Sequence, residues 1–161
     1  MAVTNQNSTE YANLIAVPLV RNETTDWNGR LRFQRFTFTQ SGAGDATSTV
    51  TLTKLPAGRV RVFNRLTSIT TSAFGSARTL DYGWAAYNSG VDGSTVNADA
   101  DGLDSARDVS AAISYNPTGT VGGDETYLFN SASGVVLNMT VAGGTIPNGA
   151  TINGYLVYTQ D

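Results

Sequence analysis

The run "GVVLNMTVAG" (Gly134 to Gly143) sets Val135, Leu137, Met139 and Val141 at every second position. A period of two sends alternate side chains to opposite faces of a strand, whereas a helix repeats its apolar residues every three to four. Asn138 and Thr140 fall on the other face, and a glycine closes each end. The run therefore reads as an antiparallel strand with one face in a core and one outside it.

Working outward, the same period recurs along the chain. "STVTLTKL" (Ser48 to Leu55) puts Val50 and Leu52 on one face, and "RVRVFNRLTSI" (Arg59 to Ile69) aligns Val60, Val62 and Leu66 against Arg59, Arg61 and Arg65. "RTLDYGWAAY" (Arg78 to Tyr87) stacks Leu80, Tyr82, Trp84 and Ala86, and "TINGYLVYTQ" (Thr151 to Gln160) sends Ile152, Leu156 and Tyr158 inward. "VSAAISY" and "TYLFN" add two short strands. "RLRFQRFTFTQ" (Arg30 to Gln40) behaves differently. Leu31 and Phe33 point one way, while Phe36 and Phe38 point the other, so either both faces are covered or a bulge lies at Gln34-Arg35. Turn signals such as "SGAGD", "PAG" and "TIPNGA" separate the strands. About eight short antiparallel strands predict an all-β jelly roll or β-sandwich over residues 29–161. Residues 1–28 alternate weakly and read as an extended arm or edge strand. Its Leu14, Ile15, Val17 and Leu19 need a surface to cover them.

The chain's 161 residues suit one domain with a core of its own. Cys and His are both absent, which removes disulfides, thiolate metal sites and the commonest general base. Nucleophilic triads that use His are excluded within this chain. The start "MAVTNQNSTE" is polar, and "LIAVPLV" is too short for a membrane span, so we expect a protein made in the cytoplasm with no membrane partner. Residues 1–65 carry eight basic and four acidic side chains, and residues 66–161 carry two and nine, so +4 and −7 give the net −3. A split of this kind suits one basic and one acidic face. Nine of the ten basic residues are Arg, the residue of interfaces and bidentate carboxylate pairs. The negative net charge and the lack of a basic run among aromatics speak against nucleic acid.

One stretch imitates a metal motif. "NADADGLDSARD" (Asn97 to Asp108) sets Asn97, Asp99, Asp101 and Asp108 at positions one, three, five and twelve of an EF-hand-like calcium loop, with Gly102 at six. Its flanks read as strands rather than helices, and Asp108 is shorter than the bidentate Glu such loops use. We therefore expect an exposed acidic loop and no cofactor. The calcium loop stands as the alternative. Asp99 with Asp101, or Asp124 with Glu125, also form carboxylate pairs of the kind glycosidases use, but paired acids in Gly-rich segments are more often solvated turns. No enzyme activity is expected.

The runs "SARTLDYGWAAY" and "DGSTVNADADGLDSARDVSAA", with the ending "GATINGYLVYT", resemble modules of tailed-bacteriophage virion proteins. The group they are most similar to is the small capsid decoration, or cement, proteins, and the resemblance covers roughly residues 29–161. It implies a jelly roll on the capsid exterior that binds major capsid proteins where they meet. It also implies a homotrimer, with a dimer as the alternative, and an N-terminal arm in the capsid contact. The residues expected to bind partners are Tyr11, Leu14, Ile15, Val17, Leu19, Arg21 and Trp27 of the arm, and the row Arg59, Arg61 and Arg65. A different class of function is a carbohydrate-binding jelly roll of a phage fibre, with Trp27, Trp84, Tyr87 and Tyr115 stacking on sugars.

Overall fold

The structure is a computed structural model that describes residues 16–18, 20, 30–42, 44, 47–119 and 125–160. Its strands are β1 (Arg32–Thr39), β2 (Thr49–Lys54), β3 (Gly58–Phe63), β4 (Ser68–Thr71), β5 (Thr79–Trp84), β6 (Tyr87–Asn88), β7 (Thr95–Val96), β8 (Asp99–Asp108), β9 (Ile113–Tyr115), β10 (Thr126–Ser131), β11 (Val136–Ala142) and β12 (Thr151–Gln160). One 3-10 turn, Asn64–Leu66, separates β3 from β4.

Two sheets face each other. In sheet A, β12 is central. It pairs with β1 along one side. On the other side it pairs with β4 over Ile152–Tyr155 and with β3 over Tyr158–Gln160. β3 and β4 are thus two halves of one run, and β10 and β9 flank those halves in turn. Sheet B has the order β2-β11-β5-β8. Counting β3/β4 and β9/β10 as single runs, and setting aside the small β6–β7 hairpin, eight runs remain. In chain order the two sheets read 1-8-3-6 and 2-7-4-5. That is the strand order of a jelly roll, two four-stranded sheets wound from Greek keys.

The break in the third run is built from sequence. Opposite the 3-10 turn, β12 has no ladder partner, and Val157 N–H donates instead to the Thr67 hydroxyl at 3.2 Å. The Thr67 carbonyl accepts Asn116 Nδ2 at 2.6 Å, so a fully buried threonine holds both flanking runs. The expected continuous strand Arg59–Ile69 is corrected here. Leu66, expected inward, lies in the turn and is 48% exposed.

The core sits between the sheets. Val60, Val62, Ile69, Phe129, Ile152 and Leu156 come from sheet A, and Leu80, Tyr82, Leu103, Leu137, Met139 and Val141 from sheet B, all essentially buried. Each such aliphatic side chain contributes about 1.5–3 kcal/mol of transfer free energy. The alternation read from Gly134 to Gly143 is therefore the alternation of β11. Gly134 has φ 90°, a backbone open to glycine, and a Cβ there would strike the Leu55 carbonyl oxygen.

The segment expected as an exposed acidic loop, Asn97 to Asp108, is a second correction: it holds the ten-residue strand β8, which pairs with β5, and the β6–β7 hairpin precedes it. β8 escapes an apolar-pattern reading because its buried positions are Gly102, Leu103 and Asp104, only one of them a large apolar residue. Gly102 lies beneath the Trp84 ring, where a Cβ would not fit. Asp104 is buried by pairing rather than by hydrophobicity.

Candidate functional site

Of the residues expected to bind partners, Tyr11, Leu14, Ile15, Leu19, Arg21 and Trp27 lie outside the described residues. Val17 is described and 98% exposed. Arg59 and Arg61 alternate with the fully buried Val60 and Val62, so both project from the outer face of sheet A. Arg61 donates to the Thr126 hydroxyl at 3.3 Å. Arg65 lies in the 3-10 turn, out of the strand register, and pairs with Glu125 at 3.3 Å with both side chains exposed. The expected row of three is two strand residues and a turn residue.

The expected calcium ligands are not brought together. Asp99 and Asp108 stand at opposite ends of β8, and an extended strand of that length separates them by roughly 25–30 Å. Asn97 precedes the strand, and its carbonyl accepts the Trp84 indole N–H at 3.2 Å. Among the described residues no group of three or more acidic side chains could hold a metal ion. The twelve-residue loop reading is withdrawn because a strand cannot wrap an ion.

The same strand contains a buried polar centre. Asp104 accepts Arg107 Nε at 3.0 Å and Nη2 at 2.9 Å, and also the backbone N–H and hydroxyl of Thr118 at 3.2 and 3.0 Å. The Arg107 guanidinium lies 4.7 Å from the centre of the Tyr115 ring. Burial, and then the Asp104 charge, push the Tyr115 hydroxyl well above the ordinary phenol range. Asp104 Oδ1 holds Thr118 against β8 while Oδ2 is taken by Arg107 of the same strand, which gives the pair the geometry of a structural clamp. At the other end of β8, Asp101 N–H donates to Asp99 Oδ1 at 3.3 Å. Partial burial and the neighbouring Asp101 raise the Asp99 carboxyl above its ordinary value.

Of the aromatics named for sugar stacking, Trp84 and Tyr115 belong to the core. Trp84 is 4% exposed, stacks on Tyr127 at 4.6 Å and meets Phe129 edge-on at 5.3 Å. Tyr115 is 9% exposed. Tyr87 is half-buried and meets Phe129 at 5.9 Å, and Trp27 lies outside the described residues. A ring inside the sandwich cannot stack on a ligand.

The exposed aromatic surface is elsewhere, on the outer face of sheet A. Phe33 is 69% exposed, and its ring lies 6.1 Å from that of Tyr155, which is 44% exposed. Leu31 and Leu66 are nearly half exposed. Val157, the cross-strand partner of Phe33, is on the same face and buried. Beside the ring pair is a shallow groove of about 270 Å³ lined by Arg35, Ser68, Thr70, Asn153, Gly154 and Tyr155. Gly154 has no Cβ to fill the space taken by the ring of Phe36, its cross-strand partner on the inner side. The strands and 3-10 turn of sheet A carry Arg32, Arg35, Arg59, Arg61 and Arg65 and no acidic residue. The strands of sheet B carry Asp81, Asp99, Asp101, Asp104 and Asp108 against Lys54 and Arg107. The charge split of the sequence is thus a split between the two sheets.

No protein-family model matches the chain, and no curated protein does. Solved structures do. One chain in the capsid of Ralstonia phage GP4 matches at 23% identity and TM-score 0.60, over 83% of this chain and 86% of that one. One in the capsid asymmetric unit of cyanophage Pam1 matches at 17% identity and TM-score 0.54, over the same shares. This fold occurs in phage capsids. At these identities the likeness shows the fold, an all-β jelly-roll sandwich, and it agrees with the strand order above.

Proposed function

We propose that the chain is a virion structural protein of a tailed phage: a decoration or cement protein on the outer capsid surface, bridging major capsid proteins as a homotrimer. One observation carries this reading. The match to two phage capsid chains runs over most of this chain and most of each of theirs, so those chains are of about this chain's size. In these two matches the likeness extends over most of a small capsid chain. The outer face of sheet A supplies the remaining support, because an aromatic and Arg-bearing surface is what a protein interface selects. In this reading residues 1–28 are the arm that reaches the shell, and repetition over many sites supplies avidity to contacts that are weak singly.

Quantitative mass spectrometry of purified virions of the phage that encodes the chain tests the proposal. The expected result is a copy number comparable to that of the major capsid protein. A few copies per particle would place the chain in a tail or fibre and overturn the decoration role. Deletion of residues 1–28 is expected to lower occupancy on capsids while leaving the sandwich folded, and full occupancy of the deleted protein would remove the arm from the mechanism.

A further inference from the structure

A strand at the border of a sheet leaves a row of backbone N–H and C=O groups without partners, and folds shield such borders with short strands, bulges or covering segments. Of the five border strands here, four are shielded in these ways. β8 is covered at its centre, where Gly119 N–H donates to the Leu103 carbonyl at 2.9 Å and Thr118 N–H to the Asp104 carboxylate at 3.2 Å. β10 is bonded to the β6–β7 hairpin, through Gly90 N–H to the Asn130 carbonyl and Ala132 N–H to the Asn88 carbonyl, both at 3.0 Å. β9 has three residues, and β2 is bulged against β11. β1 has eight residues in unbroken register with β12, and among the described residues nothing pairs with its other side. Its register fixes which groups are left over. Gln40 N–H donates to the Ala150 carbonyl at 2.8 Å, one step past the last strand pair, Thr39↔Thr151. Bonded and non-bonded pairs alternate along an antiparallel ladder, so Arg32, Gln34, Phe36 and Phe38 bond to β12. The N–H and C=O of Phe33, Arg35, Thr37 and Thr39 then point to the open side. An extended apolar segment fits such a border, and the chain has one in Leu14, Ile15, Val17 and Leu19. Val17 is 98% exposed, so its own sandwich does not cover it. Residues 21–29 tie this segment to Arg30, beside the start of β1, and span at most about 35 Å when extended, enough to reach a neighbouring sandwich. Pro18 is tolerated in a strand that becomes the new border. Charge agrees with this occupant. Residues 1–28 hold Glu10, Glu23 and Asp26 against Arg21, whereas a second β1 would bring Arg32 and Arg35 beside those of the first, and like charges on adjacent strands repel.

We propose that the open side of β1, over residues 33–39, takes residues 14–20 of a second copy of this chain as an added strand. Side chains of the added strand alternate between the two faces, so one set lies beside the exposed ring of Phe33 on the outer face. The contact is heterologous: each copy gives an arm and receives one, and such contacts close into a ring when the rotation between copies allows it. The rest of residues 1–28 is left for the shell. The inference rests on the oligomeric part of the function proposed above and is independent of its capsid part.

Sedimentation equilibrium of the full-length protein tests it. The wild type is expected to show a small multiple of 16.9 kDa. Thr37→Pro removes an N–H on the open side and leaves the β12 ladder whole, so association should fall by about tenfold or more with a melting temperature close to wild type. Thr39→Pro removes the next such N–H and should act alike, which keeps the edge testable if one of the two lowers the melting temperature. Ile15→Asp/Val17→Asp breaks the apolar face of the arm and should cause a similar loss. An equimolar mixture of Thr37→Pro with Ile15→Asp/Val17→Asp reads the pairing directly. One variant keeps an intact arm and the other an intact edge, so the mixture should form pairs of copies that neither variant forms alone. A mixture that stays monomeric would break the pairing of arm with edge. Oligomers unmoved by either proline variant would place the interface elsewhere and overturn this inference alone. A wild type that stays monomeric at the highest attainable concentration would overturn both this inference and the oligomeric part of the proposed function.

Discussion

The carboxylates of sheet B and the outward surface of sheet A differ in where their interactions end. On sheet B the charged groups are tied into the fold. Asp104 is held by Arg107 and Thr118, Asp81 accepts Ala106 N–H at 2.7 Å, and Asp108 accepts Ser110 N–H at 2.8 Å. On sheet A the rings of Phe33 and Tyr155 meet each other and then solvent. The difference separates two uses of side chains in one sandwich. Sheet B spends its polar residues on stability, so substitutions there should change unfolding. The exposed rings of Phe33 and Tyr155 contribute little to the stability of the folded chain, so substitutions at those two positions should change association.

The largest effect expected from this contrast is at the buried pair. Arg107→Ala leaves the Asp104 carboxylate, 1% exposed, with only Thr118 as donor. Removing one partner of a buried ion pair costs about 3–5 kcal/mol because the other charge stays desolvated. Asp104→Ala should cost less, about 1–3 kcal/mol, since the Arg107 side chain is 27% exposed and its guanidinium can turn to water. Urea denaturation of both variants checks the order. A larger loss for Asp104→Ala would mean that anchoring the Thr118 segment outweighs the stranded charge.

Next is the seam between β5 and β8. A Cβ added to Gly83 would strike the Asp99 carbonyl oxygen, which is backbone and cannot turn aside. Gly83→Ala should force β8 away from β5 and cost roughly 1–3 kcal/mol, the usual range for overpacking. The same substitution tests the strand itself. If the segment Asp99–Asp108 were a surface loop, Gly83→Ala would be nearly neutral in thermal melting.

That strand marks where sequence reading reached its limit. β11, β5 and β12 were legible because their inward positions are Val, Leu, Ile, Met and aromatics at a period of two, a pattern only a half-buried strand produces. β8 was not, because its core contribution is one leucine, one glycine under Trp84 and one aspartate neutralised by Arg107 three residues on. Burial by pairing leaves no hydrophobic trace in the sequence. Of the candidate site, Arg59 and Arg61 were placed on a common outward face by alternation, and Arg65 was misplaced because nothing in "RVFNRLTS" announces the 3-10 turn. Phe33 was visible as an apolar residue out of phase with Phe36, with coverage of both faces or a bulge as the two explanations. The unbroken register removes the bulge. Tyr155 was legible in the same way, out of phase with the inward Ile152, Leu156 and Tyr158, but its meeting with Phe33 was not, since that depends on the register of β1 against β12.

For the face of sheet A the expected effect on stability is small. Phe33→Ser should shift the unfolding free energy by within about 0.5 kcal/mol, as for exposed positions outside special features. Calorimetry on dilute protein, where association is absent, checks this. A loss of several kcal/mol would show that Phe33 belongs to the folded monomer and would erase the contrast between the two sheets.

The smallest effect is expected at Asp99, where sheet B's use of charge for stability runs in reverse. Partial burial and the nearby Asp101 raise its carboxyl above the ordinary value, so the folded chain holds that proton more tightly than the unfolded chain. The sign follows from linkage. Asp99 favours the folded state most when the pH is below the ordinary aspartate value, and this contribution is lost as the pH rises through that value to the raised folded one. At neutral pH the ionised group is a small net cost. Asp99→Asn removes the charge and keeps an oxygen to accept the Asp101 N–H. The variant should melt slightly above wild type near neutral pH, and the advantage should shrink or vanish in acid. Asp92 and Asp108, whose carboxyls are lowered by hydrogen bonds to Ser94 and Ser110, act in the opposite sense but are common to both proteins and cancel in the difference. Scanning calorimetry of the two proteins across that range decides it. A variant that melts below wild type near neutral pH would mean that the Asp99 charge is a stabilising one, balanced by a cation that the strands of sheet B do not show.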